Sequence, residues 1–166
     1  HRLDSDRRST FDAFAYINRI PVIPEQDESQ ESLAQRIVSR LANQEGRILV
    51  KLPSEMNHYT YYGFKVAVES ANVSTAGRCI QCHRMPDFGR EGGGDKLVPT
   101  LRNKTFSLPK LDKLLQNETH RKIELNNQQK IQLLAFIYSL KDISDSEFRK
   151  AILEATVLDT SGDNEK

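Results

Sequence analysis

Apolar residues recur along this chain at helical rather than strand spacing. Thr10 can cap a short helix in which Phe11, Phe14 and Ile17 face one way, and Pro21 and Pro24 require it to stop before them. A polar acidic stretch over residues 25–32 reads as a solvated loop and helix start. From it runs a better helix, with Leu33, Ile37 and Leu41 at four-residue steps and Gly46 as terminator. Ile48, Val50 and Leu52 alternate with Arg47, Leu49 and Lys51, a weak strand pattern. Between Met56 and Ala71 the aromatics Tyr59, Tyr61, Tyr62 and Phe64 show no clear period, which predicts a loop followed by an extended or short helical piece.

The C-terminal half is more sharply patterned. Pro109 suits the first residue of a short helix carrying Leu111, Leu114 and Leu115. Asn126 with Gln129 forms a capping box for the most apolar helix of the chain. Ile131, Leu134 and Tyr138 form its main stripe, widened by Leu133, Phe136, Ile137 and Leu140, so it is expected to be buried on most of its surface. Ser144 with Glu147 opens a last helix through Phe148, Ile152 and Leu153, and residues 159–166 read as a frayed polar tail. The expected fold class is mostly α.

Composition narrows the class without naming a function. A chain of 166 residues with 37% hydrophobic and 28% charged residues can bury one sizeable core. Its apolar runs are far shorter than the roughly 20 residues that cross a bilayer, so no membrane span is expected. The net charge of +1 argues neither for nucleic acid nor for a strongly acidic partner. The chain opens on His1 rather than Met and carries no signal peptide, which reads as a processed product or an excised domain.

Chemistry concentrates at residues 79–83, Cys-Ile-Gln-Cys-His, which use both cysteines of the chain. This is the spacing that attaches a c-type haem. Two thiols three positions apart can reach the two vinyl groups of one porphyrin, with Cys79 and Cys82 as thioether donors and His83 as the proximal iron ligand. The same residues have three other readings. A thioredoxin-like redox pair wants its cysteines at the mouth of a helix after a strand, and no strong apolar strand leads in here. A structural zinc site would need a second ligand pair from His1, His58 and His120, which show no matching spacing. A disulfide would close only a tiny loop. The compartment that goes with haem attachment is extracytoplasmic, in bacteria the periplasm. The triple glycine at 92–94 lacks the Gly-Lys-Ser/Thr of a phosphate cradle and reads as a surface loop.

Cys79 to His83, Pro86-Asp87-Phe88-Gly89, Val98-Pro99-Thr100-Leu101-Arg102-Asn103 and Gln128 to Leu140 together resemble a class I cytochrome c domain. More narrowly, they are similar to the C-terminal haem domain of bacterial di-haem cytochrome c peroxidases over roughly residues 76–141. The resemblance implies a cytochrome c-like helical domain around one covalent haem c over residues 73–158. An N-terminal helical extension, residues 1–72, would pack on it. It further implies that the Pro99 carbonyl holds His83, that Leu101 packs on the porphyrin face and that Arg102 meets a haem propionate.

The chain also departs from that family. It has one haem motif where the peroxidase needs two, so it is not that enzyme alone. Residues 104–109, Lys-Thr-Phe-Ser-Leu-Pro, lack the loop that supplies or shapes the distal side. Met85 follows His83 too closely to reach around the ring. The remaining candidates for the sixth iron ligand are His120, then Met56, then His58, beside an open position. The expected function is one-electron transfer between redox partners, either a separate redox protein or haem domains of a larger parent. The alternative is a haem enzyme or sensor with an open or weakly held distal site. Residues 78–104 hold six basic side chains, Arg78, Arg84, Arg90, Lys96, Arg102 and Lys104, against Asp87, Glu91 and Asp95, an excess that could steer an acidic partner.

Overall fold

The structure, a computed structural model, describes residues 8–42, 49–68, 79, 83–85, 87–89, 100–116 and 124–159. These are mostly helical. In order come α1 (Thr10–Asn18), α2 (Gln30–Ala42), β1 (Leu49–Leu52), α3 (His58–Val68), α4 (Leu108–Leu115), α5 (Asn127–Tyr138), α6 (Asp145–Leu153) and β2 (Thr156–Asp159). No helix among the described residues is long and apolar enough to cross a membrane.

The helix starts follow local chemistry. Ser9, one residue before the expected Thr10, caps α1 and forms a capping box with Asp12. Asn126 with Gln129 and Ser144 with Glu147 form the same reciprocal pair at α5 and α6. Ser107 caps α4, and Pro109 sits in its first turn. Helix α1 ends at Arg19, which adopts the left-handed conformation just ahead of Pro21. In α2, Leu33 and Ile37 are buried as their spacing requires. Gly46 and the side chain of Leu41 lie outside the described residues.

Three sequence expectations need correcting. The stretch after Met56 is a full helix, α3, which buries Thr60, Tyr61, Gly63, Phe64, Ala67 and Val68. Those positions recur at helical intervals, but the aromatics around them are so dense that no face stands out in the sequence. Helix α5 is buried on one side only, through Leu133, Phe136 and Ile137, while Ile131 and Tyr138 of the expected stripe are 47% and 58% exposed. Finally, Asp159 is not the start of a frayed tail, and residues 160–166 lie outside the described residues. Asp159 ends β2, which pairs antiparallel with β1 through Val50 opposite Leu158 and Leu52 opposite Thr156.

The core is aromatic. The ring of Phe11 lies 5.0 Å from Phe64, 5.4 Å from Phe136 and 5.6 Å from Phe88, the last two edge to face. Each such pair adds about 0.5–1.5 kcal/mol beyond its burial. One buried cluster therefore joins α1, α3, α5 and the segment after His83, drawing on residues from both sides of position 72. A smaller cluster of Ala13, Phe148 and Ala151 packs α1 against α6.

Candidate functional site

The segment after the two cysteines is built around Phe88. The backbone N–H of His83 donates to the carbonyl of Cys79 at 2.8 Å, which ties the motif's first cysteine to its histidine, while residues 80–82 between them lie outside the described residues. Cys79 is half-buried against the core cluster. Cys82 lies outside the described residues, as do Pro99 and His120.

His83 is also half-buried, and its Nδ1 lies 3.1 Å from the carbonyl oxygen of Phe88. A carbonyl can only accept, so Nδ1 carries the proton in this bond, and in the neutral imidazole the lone pair then sits on Nε2. That is the arrangement a histidine ligand to iron needs, with a carbonyl behind the ring fixing tautomer and direction. The resemblance assigned this task to Pro99. Pro99 lies outside the described residues, and among the described ones it is the Phe88 carbonyl that meets Nδ1.

Phe88 is held from several sides. It is fully buried and has φ 55°, a left-handed conformation uncommon for a residue with a side chain. Its carbonyl also accepts the N–H of Leu101 at 3.1 Å, and Gly89 N–H donates to the Arg84 carbonyl at 3.2 Å. The Thr100 hydroxyl donates to the Asp87 carbonyl and accepts the N–H of Arg102 at 3.1 Å. Residues 83–85, 87–89 and 100–102 are thus laced into one unit. Its other end is tied to α2, because the Met85 N–H donates to Gln30 Oε1 at 3.0 Å.

Arg102 stands on a carboxylate of the protein. Its two terminal nitrogens donate to Asp12 Oδ2 and Oδ1 at 2.9 and 3.0 Å, and both side chains are less than one-tenth exposed. The guanidinium also lies 5.8 Å from the centre of the Phe88 ring. Asp12 in turn accepts from the N–H and hydroxyl of Ser9. Asp12, Phe88 and Gln30 were not legible as site residues. The Ser9 to Asp12 capping spacing was the only trace of the first, and nothing in the sequence paired it with Arg102.

The other candidates divide by burial. Leu101 is half-buried against the core. Met56 is inside the core at 6% exposure, with its N–H bonded to the Pro53 carbonyl at 3.1 Å. His58 is exposed as the first residue of α3, its ring 4.5 Å from that of Tyr59. Of the six basic residues around the motif, Arg84 and Lys104 are exposed and Arg102 is buried, whereas Arg78, Arg90 and Lys96 lie outside the described residues. The hydroxyl of Tyr62 on α3 is buried with no hydrogen-bond partner among the described residues. An orphaned buried donor of this kind fits a polar group brought by a cofactor.

A basin of about 540 Å³ on α2 is lined by Arg19, Arg36 and Arg40 among others, and includes no motif residue. Arg36 is already committed to Glu28 through two bonds of 2.8 Å. No family model matches this chain, and neither the curated proteins nor the solved structures include a match to it.

Proposed function

We propose that the chain is a mono-haem c-type cytochrome domain that carries one electron between redox partners. The observation that carries this reading is the backbone bond that joins Cys79 to a His83 whose Nδ1 is bonded to a carbonyl. Cys79 and Cys82 would hold the group through thioethers, each thiol adding across a vinyl double bond, and His83 would bind the iron through Nε2. A bound haem supplies an iron centre that gains and loses one electron. The chain's own residues do the rest. Phe88 orients the ligand, Leu101 offers half-covered apolar surface, and the Tyr62 hydroxyl supplies a donor inside the protein.

On this reading residues 73–158 form a cytochrome c-like domain, and residues 1–72, with α1, α2, β1 and α3, form the N-terminal helical extension packed on it. The compartment is extracytoplasmic, and the partner is a redox protein or further haem domains of a parent chain. Mass spectrometry of protein expressed with a haem-attachment system tests the proposal. The expected result is one added haem that survives acid-acetone extraction, and loss of it in Cys79→Ala with Cys82→Ala. Haem that extracts freely from the parent sequence overturns the reading. Fast carbon monoxide binding by the reduced protein would replace the electron carrier with the haem enzyme or sensor.

A further inference from the structure

Asp12 and Arg102 are 90 residues apart in sequence and share a buried, two-pronged ion pair. Burying two charges costs several kcal/mol each before their attraction offsets it, and apolar replacements of similar volume are often as stable. Such a pair contributes more to geometry than to net stability. Here the geometry is over-determined. Both Asp12 oxygens are engaged, Oδ2 by three donors, Ser9 N–H, Ser9 Oγ and Arg102 Nη1. The forked contact fixes the plane of the guanidinium, and that group lies over the Phe88 ring. Phe88 keeps a left-handed backbone that a non-glycine residue holds only where its surroundings impose it. That backbone conformation aims the Phe88 carbonyl at His83 Nδ1.

We infer that the Asp12–Arg102 pair is the device that sets the orientation and tautomer of His83, acting through Phe88, so that α1 is a working part of the ligand site. Asp12 and Arg102 are positioning residues and do not touch the iron. The inference rests on the reading of His83 as the haem ligand. It assigns Arg102 to Asp12 instead of a haem propionate, and it makes the docking of α1 a condition for a correctly presented imidazole. A domain cut to begin after α1 would keep the cysteines and lose the device.

The test uses the apoprotein first. Nitrogen-15 NMR of the wild type should show His83 protonated at Nδ1, and a dominant Nε2–H tautomer there would overturn the inference outright. In Arg102→Lys, which keeps the charge but loses the fork, and in Asp12→Asn, the Nε2–H form should grow at least several-fold. Circular dichroism and amide protection in α3 and α5 should stay as in the wild type. The haem-loaded Arg102→Lys protein should have a higher reduction potential, because a weaker bond at Nδ1 makes the imidazole a poorer donor to ferric iron. Folded variants with unmoved tautomer and potential would show the pair to be structural alone. Should the wild type take up no haem, the proposed function fails while the apoprotein spectra still decide this inference.

Discussion

Gly63 on α3 meets the backbone of Gln132 on α5 with no room for a β-carbon. One built at Gly63 would overlap the Gln132 carbonyl oxygen and come within 2.8 Å of the Phe136 β-carbon. The two helices flank the cysteine motif in sequence, and this crossing brings Phe64 to 5.7 Å from Phe136 in the core. Glycine ordinarily weakens a helix by roughly 0.5–1 kcal/mol relative to alanine, so its place in mid-helix has a packing reason.

Gly63→Ala should therefore destabilise the protein although alanine is the better helix former. Backbone cannot swing aside as a side chain can, and overpacking of this kind costs about 1–3 kcal/mol. Urea unfolding of the variant should show a lower midpoint. Unchanged stability would mean that α3 and α5 do not approach at this residue.

Met56 and His120 should separate on mutation. Met56 is buried in the core with its backbone in a turn, so Met56→Ala should cost about 2–5 kcal/mol, as buried methionine truncations do, and leave the haem spectrum unchanged. His120→Ala should convert low-spin iron to high-spin if that side chain is the sixth ligand. A Met56→Ala protein that loses low-spin bands while keeping its stability would reverse the assignment.

Acid should reveal the Glu28 to Arg36 contact. Hydrogen bonds from the Arg36 side chain, then from the Glu25 backbone, hold the Glu28 carboxyl at about 2, below its ordinary 4.5. A carboxyl with a depressed folded value favours the folded state fully above its unfolded value. That contribution fades as pH falls from about 4.5 to about 2. Carbon-13 titration of the Glu28 carboxyl should show it ionised at pH 3, and Arg36→Gln should return it toward the ordinary range. A wild-type midpoint near 4.5 would remove the contact from solution.

What the sequence alone determined about this protein is what a few neighbouring residues can encode. Asn126 with Gln129, and Ser144 with Glu147, start their helices because each cap is completed within one turn. Pro109 and Pro21 mark a start and a stop for equally local steric reasons. The Cys79 to His83 spacing is legible for the same cause, since all five residues of the motif are neighbours in sequence. Tertiary structure decided everything that depends on distant segments. Helix α5 carries apolar residues on more than one face, and Gly63 in another helix chose the side of Phe136 while Tyr138 was left outside. The residues of β2 show no strand pattern of their own and became a strand because β1 offered an edge. Arg102 meets Asp12 of α1, and the Phe88 ring packs against Phe11 of the same helix, contacts that exist only in the folded chain. Partners 90 residues apart leave no periodic trace, because packing and not spacing brings them together.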